Sequence, residues 1–83
     1  MVTPGEVRAA RALLGWTRQR LADRAVVSLN SVARLEQGVV DPRGSTLSAI
    51  RRVFEQEGIE FLSLRGEGEG VRRRPASQDS AST

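Results

Sequence analysis

The 83-residue chain contains no cysteine and no histidine. Without thiols, disulfides and thiolate metal sites are excluded. Without imidazole, the usual general base and the commonest metal ligand are missing. Tyrosine is absent, and aromatic residues make up 4% of the chain, as one Trp and two Phe. Lysine is absent too, so all 13 basic residues are Arg. No apolar run approaches the ~20 residues needed to span a bilayer. The first residues show no charged segment followed by an apolar block. A soluble, cytoplasmic protein is expected. An enzyme is not, because no set of side chains supplies a nucleophile with its base, or a metal cluster. No cofactor is expected.

What is present is enough for one small domain with a thin core. Hydrophobic residues are 39% of the chain, the formal net charge is +3 and the pI is about 11.3. A polyanion is the natural partner of such a chain. Guanidinium suits phosphate and guanine, to which it can offer two parallel hydrogen bonds. The charge is uneven: residues 1–58 hold nine Arg against six acids, and residues 59–83 hold four of each. The excess positive charge therefore belongs to the first segment.

That segment reads as four helices. Thr3-Pro4-Gly5-Glu6 is a capping box with Pro at the first helical position. The spacing predicts a first helix over Pro4–Leu14, with Val7, Ala10 and Leu14 inward and Gly15 closing it left-handed. Thr17 caps a second helix with Leu21, Ala22 and Ala25 inward. Ser28 caps a third with Val32 and Leu35 inward, ended by Gly38. Asp41-Pro42 and Gly44 mark a loop. Ser45 or Thr46 is expected to cap a fourth helix, in which Leu47, Ile50, Val53 and Phe54 repeat until Gly58. Trp16 reads as core or boundary packing. Ile59–Leu64 and Val71–Arg74 then read as two strands around a flexible Gly66–Gly70 turn. An isolated hairpin is marginal in water, so it must pack on the helices or on a second copy. Pro75–Thr83, without an apolar anchor, is expected to be disordered. The resulting organisation is a helical unit over 1–58, a hairpin over 59–74 and a tail over 75–83.

Two short helices joined by a tight turn, the second with a polar face of Asn30, Ser31 and Arg34, have the layout of a helix-turn-helix. Residues 4–57 resemble the XRE, or Cro/cI-like, phage-repressor type. The resemblance rests on Leu14-Gly15-Trp16-Thr17, Leu21-Ala22, Val27-Ser28, Val32 and Arg34-Leu35-Glu36-Gln37-Gly38. The Gly-Ile-Glu-Phe-Leu to Gly-Val-Arg-Arg-Arg ending is similar to that of a subgroup of short bacterial regulators. The implied fold is mainly α, a four-helix lambda-repressor-like domain with a short C-terminal β-hairpin.

The resemblance also implies roles. Leu29, Asn30 and Arg34 fall where such proteins touch base edges. Thr17 and Arg18 fall at backbone phosphate, and Gln37 and Arg43 fall near a second phosphate cluster or the minor-groove edge. Arg11 and Glu36 match an internal ion pair. Three departures stand out. Val26 occupies the turn position usually held by Gly, where a β-branched residue is costly, so the turn should differ locally or the helix should end early. Arg18 replaces a common Gln, which points to pure phosphate contact. The hairpin replaces a fifth helix.

The chemistry of the polar face is concrete. Asn can bond adenine at N6 and N7 together, Arg can bond guanine at O6 and N7, and Leu29 can touch a thymine methyl. Asn30 and Arg34, four apart, share one helix face. The plainer reading of Asn30 is an exposed residue in a capped first turn. Ser31 has either a phosphate or a local backbone bond. Ser28 is a cap that can also meet phosphate. Arg20 and Arg24 read as a solvated face. Arg72-Arg73-Arg74 is either a second DNA arm or the charged edge of a hairpin. Gly66–Gly70, with its two Glu and no following Lys-Ser/Thr, is not a phosphate loop.

The expected function is that of a sequence-specific regulator, a repressor acting as a homodimer on a near-palindromic site through the helix over 28–37. Ile59, Phe61, Leu62 and Leu64 are the expected dimer interface. Two alternatives stay open: an antitoxin-type or phage-module protein whose C-terminal segment also clasps a toxin or other protein, and an adaptor or RNA-associated module without base reading.

Overall fold

The computed structural model describes residues 1–39 and 44–75. Its element order is α1 (Pro4–Leu14), α2 (Arg18–Ala25), α3 (Leu29–Glu36), α4 (Gly44–Gln56), β1 (Ile59–Phe61), a 3₁₀ turn (Leu62–Arg65) and β2 (Val71–Arg73). Four helices thus precede one short antiparallel hairpin, with Ile59 opposite Arg73, Glu60 opposite Arg72 and Phe61 opposite Val71.

Local chemistry sets the helix ends. Thr3 Oγ1 accepts from the Glu6 N–H and Glu6 Oε1 accepts from the Thr3 N–H, each at 3.0 Å, which completes the capping box of α1. Thr17 Oγ1 accepts from the Arg20 N–H, and Ser28 Oγ from the Ser31 N–H, so α2 and α3 each start on a hydroxyl cap. At the end of α1, Gly15 takes φ +68°. The Trp16 N–H reaches back to the Arg11 carbonyl at 2.9 Å and the Gly15 N–H to the Ala12 carbonyl at 3.1 Å.

The same reversal ends α2, but on Val26, at φ 57° and ψ 49°. The expected escape from this conformation does not occur. The Val27 N–H bonds the Ala22 carbonyl at 3.0 Å, which demands a left-handed residue between helix and cap whatever its side chain. Val26 is 89% exposed, so its branched side chain meets solvent rather than neighbours.

The core gathers one stripe from each element. Val7 and Ala10 of α1, Leu21, Ala22 and Ala25 of α2, Val32 and Leu35 of α3, and Ile50, Val53 and Phe54 of α4 are all buried. Phe54 is the hub: Trp16 stacks on it at 5.8 Å between centroids, and Phe61 meets it edge-on at 6.1 Å. Leu14, expected inward, is only half-buried beside this cluster.

Three boundaries differ from expectation. The fourth helix starts at Gly44, so Ser45 and Thr46 lie inside its first turn rather than at its cap. The strand from Ile59 stops at Phe61 because the chain turns at Leu62–Arg65 to bring Ser63 under α1. The second strand stops at Arg73, although the Arg74 N–H still donates to the Gly58 carbonyl at 2.7 Å. The Asp41-Pro42 loop and all of the expected tail beyond Pro75 lie outside the described residues.

The hairpin belongs to the same core as the helices. Ile59 and Phe61 are 1% and 2% exposed within the protomer. Glu6, the N3 residue of α1, is fully buried and ties the hairpin down. Its Oε2 accepts from the Ser63 and Gly70 N–H groups at 3.0 and 2.9 Å, and its Oε1 accepts from the Ser63 hydroxyl at 2.6 Å.

Candidate nucleic-acid interface

α3 presents its polar face because its other face is locked. Val32, Leu35 and Glu36 are buried, while Leu29, Asn30 and Arg34 are exposed. Leu29 is the first residue of the helix, and Asn30 and Arg34 stand one turn apart above the buried stripe. Among the described residues neither the Asn30 amide nor the Arg34 guanidinium makes a hydrogen bond within the protein. Against the described residues both keep their full donor sets.

The two serines are engaged locally. Besides capping the helix, Ser28 donates its hydroxyl hydrogen to Ser31 Oγ at 2.8 Å. Ser31 retains its own hydroxyl hydrogen. Thr17 is likewise a cap, and Gln37 is exposed at the end of α3, where its N–H bonds the Ala33 carbonyl at 3.1 Å. Arg43 lies outside the described residues.

Behind this face, one carboxylate joins three helices. Glu36 Oε2 accepts from Arg11 Nε at 2.8 Å, and its Oε1 accepts from Arg11 Nη2 at 3.1 Å and from Arg18 Nε at 3.0 Å. Arg11 also donates through Nη1 to the Trp16 carbonyl at 3.0 Å, and Arg8 donates to the Glu36 carbonyl. Burial pushes the Glu36 carboxyl upward, but the hydrogen bonds and charges of Arg11 and Arg18 outweigh it and hold the group below its usual range. Arg18 is therefore not a pure phosphate ligand. Its Nε–H is spent on Glu36, and its remaining N–H groups have no partner among the described residues.

Arg20 and Arg24 do more than cover a solvated face. Their guanidinium carbons lie 5.6 and 5.0 Å from the centroid of the Trp16 ring. Arg24 also bonds Glu57 at 3.0 Å, tying α2 to the end of α4. Arg20 and Arg24, four apart, share one face of α2, but Trp16 precedes the helix and its place against them carried no signal in the sequence.

The C-terminal segment divides otherwise than expected. Ile59 and Phe61 cannot furnish a dimer surface because the protomer's own core covers them. Of that set, Leu62 is half-buried and Leu64 is 43% exposed. Within the Arg run, Arg72 bonds Glu60 at 2.7 Å across the hairpin and Arg74 donates to the Glu55 carbonyl at 3.2 Å near the end of α4. The Arg72 contact lowers the Glu60 carboxyl below its usual range. Arg73 is exposed.

Among the described residues no group of three or more His, Cys, Asp or Glu side chains could hold a metal ion. No helix there is long and apolar enough to cross a membrane.

The family model HTH_3, described as Helix-turn-helix, matches residues 7–61, more than half of the chain. No curated protein matches it. The matched span contains α2, the Val26 turn, α3 with its exposed Asn30 and Arg34, and the Glu36 junction behind them. The chain belongs to the XRE-type helix-turn-helix family of DNA-binding transcription regulators.

Proposed function

We propose that this regulator represses transcription by binding a near-palindromic operator as a homodimer, with α3 of each copy in the major groove. The observation that carries this reading is the exposed pair Asn30 and Arg34 on a helix whose opposite face is buried. A base-reading side chain must be free at its tip and fixed at its base, and each good bidentate contact discriminates by about 1–3 kcal/mol. Leu29 adds apolar contact to a thymine methyl. Thr17, Arg18, Ser28, Ser31, Gln37 and Arg43 would hold the flanking phosphates and so set the register of α3.

Homodimerisation follows from the length of the reading helix. One α3 covers too few base pairs for a unique genomic address, and a two-fold dimer doubles the readout. Leu64, with Met1 at 69% exposure and the half-buried Leu47 beside it, is the apolar surface that supports this interface.

Selection from a random duplex pool at near-physiological salt tests the proposal, with Asn30→Ala and Arg34→Ala alongside. The expected result is an enriched palindrome that relaxes at separate positions in the two variants, and a sedimentation mass of two protomers per site. No enrichment by the folded protein would overturn the base-reading role. An enriched single half-site occupied by one protomer would overturn the dimer. Reporter expression with the site at a promoter decides the sign of regulation.

A further inference from the structure

We infer that Glu36 is a positioning residue for DNA binding: it holds the Arg18 guanidinium at a fixed place so that its uncommitted N–H groups meet the phosphate backbone. The inference rests on the reading of Arg18 as a phosphate ligand. Glu36 has no side-chain exposure, whereas Arg18 is 40% exposed, so one end of this ion pair is sealed and the other is open.

Arg11 alone can neutralise the buried carboxylate. It uses Nε and Nη2 on Glu36 and Nη1 on the Trp16 carbonyl, so all three of its nitrogens are engaged within the protein. The charge of Arg18 is surplus to that task. Among the described residues only its Nε is committed, at 3.0 Å, and a guanidinium carries four further N–H donors on its two Nη atoms. An arginine free in solvent loses rotamer freedom when a phosphate captures it, and one already held loses less. Glu36 is also the last residue of α3, two positions after Arg34. The carboxylate that fixes Arg18 is thus part of the helix that reads bases, so phosphate register and base register are set by one junction.

The test measures the affinity for a short mixed-sequence DNA duplex against salt concentration, for the parent chain, Arg18→Ala, Arg18→Lys and Glu36→Gln. Arg18→Ala is expected to reduce the salt slope by about one and to weaken binding about tenfold. Arg18→Lys keeps the charge but replaces the planar fork, whose Nε faces Glu36 while both Nη atoms stay open, with one compact ammonium, so it is expected to bind more weakly than the parent. Glu36→Gln removes a negative charge. Charge alone would then tighten binding, whereas loss of positioning weakens it and lowers the slope. A Lys variant that binds like the parent overturns positioning and leaves the phosphate contact standing. An Arg18→Ala variant with an unchanged slope overturns the contact itself. Where Glu36→Gln does not fold, the Ala and Lys variants decide alone. A folded parent chain that does not bind the duplex overturns both readings.

Discussion

Ser63 satisfies Glu6 twice across 57 positions of sequence, its N–H donating to Oε2 at 3.0 Å and its hydroxyl to Oε1 at 2.6 Å. With the Thr3 and Gly70 N–H groups, each carboxylate oxygen has two donors, none of them charged. The group sits in the first turn of α1, where the helix dipole favours an anion. A buried charge is tolerable only when its lone pairs are filled this way.

Removing the Ser63 hydroxyl leaves one Glu6 oxygen under-bonded. Ser63→Ala is expected to cost about 1–3 kcal/mol. For a domain of this size that lowers Tm by roughly 4–8 °C per kcal/mol, readable in a thermal melt followed by circular dichroism. DNA affinity at temperatures where the variant is folded should not change, because Ser63 contacts α1 and the N-terminal residues rather than α3.

The same contacts bear on truncation. A chain ending at Gly58 loses Ile59 and Phe61 from the core and three of the donors to Glu6. It is expected to be unfolded at 25 °C, with collapsed amide dispersion in its NMR spectrum. A well-dispersed spectrum from that fragment would show the hairpin to be dispensable.

Acid should expose both buried carboxylates. Burial raises Glu6 and Glu36, but hydrogen bonds from Ser63, Gly70 and Thr3 in one case, and the two arginines in the other, bring each below its ordinary value. In the unfolded chain both titrate near pH 4.3, about the ordinary value for Glu. A depressed native pKa means that the unfolded state binds protons first as pH falls. The stabilisation is therefore complete above about pH 5 and is lost as pH drops through the native values. Stability should be flat from neutral to weakly acidic pH, then fall by more than about 1.4 kcal/mol per pH unit, since two groups take up protons. Glu6→Gln or Glu36→Gln should make that limb shallower. Denaturant titrations at a series of pH values check both statements.

Much of this was legible because the local signals agree with one another. Thr3 with Glu6, Thr17 and Ser28 are caps that need only their own helix, and the inward stripes follow the 3.6 period. The Arg11 and Glu36 pairing was available only through resemblance, since nothing local joins positions 25 apart. The second arginine on Glu36 was not legible: Arg18 looks like any exposed residue at a helix start. Glu6 was read as a cap, and its three further donors come from a turn whose path the sequence could not specify. Ile59 and Phe61 were read as a dimer interface, and the protomer's own core covers them instead. Alternation alone cannot say whether such a face covers its own core or a second copy.

Val26 is where local preference and fold conflict outright. Its left-handed backbone costs a β-branched residue about 1–3 kcal/mol, and at 89% exposure it gains almost nothing from burial in return. Val26→Gly removes the steric cost but gives the unfolded chain more freedom, worth roughly 0.4–1 kcal/mol. The net expectation is a gain of about 1 kcal/mol. Asn tolerates the left-handed region with less unfolded-state entropy than Gly, so Val26→Asn should give a gain of similar size. Val26→Ala, with a Cβ but no branch, should fall between the parent and these two. Chemical denaturation of the four proteins checks the order, with the slope against denaturant unchanged. A Gly or Asn variant less stable than the parent would mean that the Val26 side chain has a partner worth more than its strain.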